Sequence, residues 1–232
     1  MITKQHLQTT LFFDIETTGA YQTLRDLEAS DPRLYELWLK RSVWLRKNSP
    51  EDQNSSDDEF WLKKSALHAE FSRVVCVSMG AFDQNMNIRI NSFCSDDESD
   101  ILNKTNKVLE NSRGKGWRLG GHTIKNFDIP TLGKRMLING IERSALIQVW
   151  SKKPWETGFL DIAEIFSFGA WGQTYTSLDL MSCVLGVNSP KDEMNGAMVH
   201  GEFWNNKNFE GIQKYCEGDV RVTMECFLKM SF

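Results

Sequence analysis

Phe12-Phe13-Asp14-Ile15-Glu16-Thr17-Thr18-Gly19 is the stretch from which the rest of the chain can be read. Thr9 to Ile15 is apolar and β-prone, which predicts a strand. Asp14 and Glu16 are two residues apart, so a strand places both carboxylates on one side and Phe13 and Ile15 on the other. Two like charges a few ångströms apart at the end of an apolar strand repel. A divalent cation is the usual compensation, and hard oxygen donors suit Mg²⁺ or Mn²⁺. A bare Asp-x-Glu reads more simply as two solvated carboxylates on an edge strand. The Thr17-Thr18-Gly19 that follows shifts the balance, because it reads as a tight turn offering backbone N–H groups beside the carboxylates.

The chain around this phrase has ordinary globular composition. It has 232 residues, with 27 Lys and Arg against 31 Asp and Glu for a formal net charge of −4, and it is 41% hydrophobic and 25% charged. Such a length suits one large domain or two small ones. It buries roughly 70–75% of the unfolded surface, enough to need no disulfide. No apolar run approaches the ~18 residues of a membrane span. Met1 to Thr10 is polar and lacks the apolar core of a signal peptide, so a cytoplasmic protein is expected. Cys76, Cys94, Cys183, Cys216 and Cys226 are odd in number and widely spaced. They read as reduced packing residues, not a zinc site. Mild acidity excludes a large uniformly basic surface. It leaves a nucleic-acid partner open, because clustered acidic metal ligands lower the net charge by themselves.

Beyond the first strand, residues 20–70 change character. Asp31-Pro32 is a helix start, with Leu34, Leu37, Trp38, Val43 and Leu45 at roughly helical spacing. Asn48 to Glu59 has the composition of a mobile loop, and Phe60 to Phe71 reads as another helix. Arg73 to Phe82 and Asn87 to Phe93 predict a hairpin across Asp83 to Met86. Asp96 to Ser112 reads as a helix with acidic first turns, Trp117 to Gly121 as a short strand and Phe127 to Asn139 as a helix. From Phe159 the pattern is mostly helical, ending in a helix from about Phe209 to Met230. Strands first, then strands alternating with helices, predict an α/β domain with a mixed sheet. Residues 20–70 are a helical insertion after the first strand, and 1–232 is expected to be a single domain.

Two further phrases carry candidate chemistry. Asp128 lies in Gly120-Gly121-His122-Thr123-Ile124-Lys125-Asn126-Phe127-Asp128-Ile129-Pro130, where a strand ends in a Gly-containing loop and a helix begins. By itself it would serve as a helix N-cap. Tyr215-Cys216-Glu217-Gly218-Asp219 places Tyr215 one turn before Asp219 on the same helix face. By itself that pair would be a half-buried Tyr and a surface Asp.

Together the three phrases resemble the DEDD superfamily of 3′→5′ exonucleases, in the subgroup whose third motif carries Tyr. Within it the chain is most similar to predicted exonucleases related to the proofreading domain of family-B DNA polymerases. Ser177-Leu178-Asp179-Leu180 with Leu185-Gly186 resembles the helix preceding the third motif. The resemblance covers most of residues 8–230. It implies an RNase H-like fold gathering Asp14, Glu16, Asp128 and Asp219 around two divalent metal ions, Mg²⁺ or Mn²⁺. Asp14 would bridge the ions, Glu16 and Asp219 would complete one shell, and Asp128 would hold the other ion directly or through water. Tyr215 would orient the attacking water. Thr17, Thr18 and Gly19 would lie against the terminal nucleotide, and Thr123, Asn126 and Phe127 also fall in the substrate-binding motifs. The implied activity is stepwise hydrolysis of DNA from its 3′ end, releasing nucleoside 5′-monophosphates. DNA is expected in preference to RNA, with a replication or repair protein as a further partner.

Two features depart from the polymerase pattern. Thr123 stands where that pattern often has an Asn that holds nucleic acid, and Thr lacks the amide geometry. No polymerase sequence follows, so a free-standing enzyme or a subunit of a larger assembly is expected. The alternatives are an exoribonuclease resembling ribonuclease D, a non-catalytic nucleic-acid-binding subunit on the same fold, and an RNase H-like endonuclease or transposase. None of the four carboxylates is lost, which speaks against the second. The one-turn Tyr–Asp pair speaks against the third. His6, His68, His122 and His200 are scattered, and none stands where a His-type relative places its base. Lys40-Arg41 with Arg46-Lys47, the run Arg113 to Arg118, and Lys152-Lys153 can contact phosphates but read first as solvated surface. Trp155 and Trp171 can stack on bases, although packing of loops onto the core is the simpler role.

Overall fold

The first apolar, β-prone run builds strand β1 (Thr10–Gly19), buried along nearly its whole length, and everything else is arranged about it. The computed structural model describes residues 2–153, 156–170, 176–188 and 194–231. Strands β2 (Ser72–Phe82) and β3 (Ile88–Cys94) form the expected antiparallel hairpin. Its turn closes on Asp83, whose Oδ1 accepts from the backbone N–H groups of Asn85 and Asn87, both at 2.9 Å. β2 also pairs antiparallel with β1, Asp14 lying opposite Ser78 and Glu16 opposite Cys76. Strand β4 (Arg118–Gly121) runs parallel to β1, and β5 (Leu160–Asp161) parallel to β4. The result is a mixed five-stranded sheet in the order β3-β2-β1-β4-β5.

In chain order the helices are α1 (Lys4–Gln8), α2 (Leu24–Ser30), α3 (Pro32–Lys47), α4 (Asp57–Lys64), α5 (Glu98–Gly114), α6 (Asp128–Ile138), α7 (Ile162–Phe166), α8 (Leu178–Leu185), α9 (Val199–Gly201) and α10 (Phe209–Met230). They cover the sheet on both faces. Leu11, Phe13 and Ile15 pack with Ile101, Leu102 and Leu109 of α5 and with Ile129, Leu132 and Met136 of α6. On the other face, Phe12 and Phe82 meet Val220, Met224 and Phe227 of α10 and Met181 of α8. The Phe12 ring centroid is 5.8 Å from that of Phe82 and 5.1 Å from that of Phe227. Gly80 permits this close approach of α10, since a Cβ there would fall 2.5 Å from Met224 Sδ and 2.8 Å from Val220 Cγ1.

A buried ion pair locks the α5–α6 layer to the sheet. Arg135 forks onto Glu98 through Nε (2.8 Å) and Nη2 (2.6 Å), and Glu98 Oε1 also accepts from Val74 N at 2.7 Å. Arg135 Nη1 donates to Ala69 O at 3.0 Å, so both charges have several partners.

The insertion after β1 is helical and has its own core of Leu24, Leu27, Trp38, Phe60, Trp61 and Phe71. The Asp31-Pro32 start is as read. Pro32 opens α3, and Asp31 Oδ1 caps it by accepting from Leu34 N at 2.9 Å. Two expectations for this region need correction. Residues 48–59 are not an open loop throughout. A short 3₁₀ turn forms at Pro50–Asp52, where buried Asp52 pairs with Lys63 at 3.0 Å and Lys64 at 2.9 Å. Ser56 then caps α4 in a reciprocal box with Glu59. The helix expected over 60–71 therefore starts earlier and ends at Lys64, passing into a 3₁₀ turn at Ser65–Leu67.

Two more expectations are corrected. Thr17–Gly19 is not a tight turn but the end of β1, still paired with Val74, Arg73 and Ser72 of β2. A register shift between Glu16 and Thr17 lets the strand bend and continue. The mostly helical pattern after Phe159 conceals β5, a two-residue strand defined by its pairing with β4. The polar N-terminus contains α1, capped by Thr3. Trp155 and Trp171, read as loop aromatics, lie outside the described residues.

Candidate active site

Because Leu11, Phe13 and Ile15 face the α5–α6 layer, Asp14 and Glu16 share the side of Phe12 and face α10. Glu16 is buried and Asp14 half-buried. The second phrase arrives from β4. A Cβ at Gly121 would fall 2.2 Å from Ile124 Cγ2 and 2.7 Å from Phe13 O, so glycine allows the chain to turn tightly against β1. Thr123 follows with φ +54°, a left-handed conformation uncommon outside Gly, Asn and Asp. Asp161, buried at the end of β5, stabilises this turn. Its carboxylate accepts from the N–H groups of Thr123 (3.0 Å), Lys125 (3.3 Å) and Ala163 (3.1 Å).

The loop delivers Asp128 as the first residue of α6, one position past the N-cap expected of it alone. Asp128 is 3% exposed, and its Oδ1 accepts from the N–H of Ile15 at 3.1 Å. That N–H lies between Asp14 and Glu16, so the second phrase is bonded directly to the first.

The third phrase comes from α10. Ser92 Oγ donates to Glu217 Oε1 at 2.8 Å, and Gln213 Nε2 donates to the same oxygen at 2.8 Å, anchoring the helix over β3. Cys216 then points at β1, its Sγ 3.4 Å from both the backbone oxygen and Oδ2 of Asp14. Tyr215 and Asp219 flank it on the turn facing the carboxylates, and the two side chains hydrogen-bond each other.

The electrostatics record how closely these groups share one space. Burial first, then the Cys216 thiol and the charges of Asp128, Glu16 and Asp219, holds Asp14 well above the usual carboxylate range. Glu16 is raised well above its ordinary value by burial, Cys216, Asp219 and Asp128. Burial lifts Asp128 to about 7, against the lowering effect of the N–H groups it accepts from. The Tyr215 hydroxyl is pushed up by burial and then by Asp219, Glu16 and Asp14. Asp14, Glu16, Asp128 and Asp219 come from β1, α6 and α10, and Asp128 and Asp219 lie near enough to raise both Asp14 and Glu16. Carboxylate oxygens of Asp14 and Glu16 and the Cys216 sulfur all lie within 4.8 Å of one another. This set is dominated by hard oxygen donors and carries surplus negative charge, which fits Mg²⁺ or Mn²⁺.

Thr17, Thr18 and Gly19 sit at the margin of this site with their groups largely engaged by the protein. Thr17 Oγ1 donates to Ala66 O at 2.8 Å, Thr18 Oγ1 meets His200 Nδ1 at 2.8 Å, and Gly19 O accepts from Trp204 Nε1 at 3.1 Å. Asn126 is exposed, and Phe127 packs against the α5–α6 core. Sequence reasoning missed three residues. Cys216 was read as packing, Asp161 was not singled out, and His200 was set aside as scattered. His200 bridges Thr18 and Gln22 O, the latter at 2.8 Å from Nε2. Asp161 does carry a local signal as the N-cap of α7. Cys216 and His200 carry none, because their partners are about two hundred residues away.

Residues 64–232 match the family described as predicted 3′-5′ exonuclease related to the exonuclease domain of PolB. The family B DNA polymerase of the hyperthermophilic archaeon Pyrobaculum calidifontis has a similar structure, with a TM-score of 0.55 at 16% identity over 95% of this chain and 24% of that one. The chain therefore spans about a quarter of that polymerase, and at this identity the likeness is one of fold, RNase H-like. No curated protein sequence matches the chain.

Proposed function

The chain belongs to the family of predicted 3′-5′ exonucleases related to the exonuclease domain of PolB, and we propose that it removes nucleotides one at a time from the 3′ end of DNA, single-stranded or frayed, as nucleoside 5′-monophosphates. What supports this reading is that four carboxylates from three separate elements lie within electrostatic reach of one another, with Asp128 Oδ1 bonded to Ile15 N. In this reading residues 1–232 act as one exonuclease domain with the helical stretch 20–70 inserted in it.

Asp14, Glu16, Asp128 and Asp219 would hold two divalent ions, Mg²⁺ or Mn²⁺. When bound, such ions stabilise the attacking and leaving oxygens of an in-line displacement at phosphorus. The chain's own residues supply the rest. Tyr215 Oη, whose proton is held tightly by burial and three nearby carboxylates, orients the attacking water as a hydrogen-bonding group, not as a strong base. Asp161 holds the loop that sets Asp128 in place. In this reading Thr17–Gly19 at the end of β1 would border the terminal nucleotide, Thr123 and Asn126 would border it from the second loop, and Phe127 would support that loop from the α5–α6 core. A nucleic-acid partner follows from the reaction. No helix of the described residues is long and apolar enough to cross a membrane.

The test is incubation of purified protein with 5′-labelled DNA and RNA oligomers, with Mg²⁺ or Mn²⁺, and with a circular single strand. A ladder of products shortened from the 3′ end of DNA, abolished by chelator, is expected. Digestion of RNA alone would replace DNA with RNA as substrate. Cutting of the circle would point to an endonuclease, and full activity in excess EDTA would remove the two-metal reading.

A further inference from the structure

Two basic stretches well separated in sequence, Arg113 to Arg118 and Lys152-Lys153, meet in space. A cleft of about 350 Å³ is lined by Arg113, Trp117, Arg118, Lys152, Thr157 and Phe159, with no acidic residue among the described residues of its lining. Trp117 and Phe159 directly precede β4 and β5, so the cleft lies at the entering ends of these parallel strands. The carboxylates lie past their leaving ends, beyond Gly121 and Asp161.

Local structure accounts for only part of this charge. Arg113 is in the last turn of α5, where a cation suits the helix dipole, and it forks onto Glu110 at 2.9 and 2.7 Å. Arg118 and Lys152 have no such explanation. Among the described residues neither side chain has an ion-pair partner. Two unpaired cations converging on a cleft, in a chain of net charge −4, form a local site for an anion. Aromatic surface accompanies them. Lys115 Nζ stands 5.1 Å from the centre of the Trp117 ring, and Trp150, two residues before Lys152, is 89% exposed. An indole this exposed is unusual for a residue normally held in the core. Cations that track a backbone, interleaved with an aromatic ring on which a base can stack, are the chemistry of single-stranded nucleic-acid binding.

We propose that the Arg113–Arg118–Lys152 cleft, together with the exposed Trp150 two residues before Lys152 in the chain, is a second contact for single-stranded nucleic acid, gripping the phosphate backbone at a distance from the 3′ end being cleaved. The proposal builds on the nuclease reading above, and its test measures binding without turnover.

The affinity of fluorescent single strands of roughly 30 and roughly 5 nucleotides is measured in EDTA over a range of salt, for wild type, Lys152→Glu, Arg118→Glu/Lys152→Glu and Trp150→Ala. Wild type is expected to bind the long strand more tightly than the short one. The double variant should lose on the order of tenfold for the long strand and little for the short. Loss of two phosphate contacts should lower the slope of log affinity against log salt by ~1.4. Trp150→Ala should weaken long-strand binding with the salt slope unchanged. Lys152→Glu, at an exposed position, gives the same test if the double variant folds poorly. Equal affinity of wild type and both charge variants for the long strand would overturn the site. So would an equal loss for both lengths, which would mean only a change in net charge. If the long strand binds through these residues but nothing is cleaved when metal is added, the nuclease reading fails and the cleft stands.

Discussion

Asp128→Asn tests the site through stability, before any substrate is added. Asp128 is 3% exposed, and burial moves its titration from an ordinary 3.8 to about 7 in the folded protein. Between those values the folded state keeps the proton and the unfolded state loses it. The folded state therefore binds more protons, and stability must fall as pH rises from about 4 to about 7. The displacement corresponds to about 4 kcal/mol, an upper bound because Asp14 and Glu16 compete for the same proton. Asn keeps an oxygen to accept from Ile15 N and cannot ionise. At pH 8 in EDTA the variant should be more stable than wild type by about 2–4 kcal/mol, or roughly 5–15 °C in melting temperature for a chain of this size. At pH 4 the two should nearly coincide. Saturating Mn²⁺ should then reverse the order at pH 8. Metal present at 1,000 times its dissociation constant stabilises the native state by about 4.1 kcal/mol, enough to offset the variant's advantage, and the variant lacks a charge that the proposed metal site needs. The assay is urea or thermal unfolding at both pH values, with EDTA and with Mn²⁺. A wild type equally stable at pH 4 and pH 8 in EDTA, or an Asn variant less stable than wild type at pH 8, would refute the picture of a charge buried at a cost and awaiting a cation.

Mn²⁺ should raise the melting temperature of wild type and much less that of Asp14→Asn; an equal rise in both would place the metal elsewhere. Asp219→Asn should collapse both metal-dependent stabilisation and rate. Tyr215→Phe deletes only the hydroxyl, so single-turnover cleavage should slow by ~10²–10⁴ while Mn²⁺-dependent melting is retained; cleavage at the wild-type rate would make Tyr215 a packing residue. Glu98→Ala leaves the Arg135 guanidinium buried without its partner and should cost about 3–5 kcal/mol in urea unfolding; a loss under about 1 kcal/mol would mean that the pair is solvated.

Local physics made much of this protein legible in its sequence. The apolar, β-prone run from Thr9 to Ile15 gives the strand, and a spacing of two puts Asp14 and Glu16 on one side of it. A spacing of four does the same for Tyr215 and Asp219 on α10, and Asp31-Pro32 marks the start of α3. Each of these depends on neighbours a few residues away, which the chain carries wherever it goes. Tertiary structure decided the rest. Strand β5 exists because β4 lies beside it, and Thr17–Gly19 stays in the sheet because β2 continues to pair with it. Cys216 touches Asp14, His200 touches Thr18, and Asp161 holds the Thr123 turn, all through contacts between distant segments. Likewise Arg118 and Lys152 read separately as solvated surface and become a cleft only when α5, β4 and the chain leading into β5 come together. Periodicity reports which way a side chain faces on its own element. What it then meets depends on how the elements pack, and no local pattern encodes that.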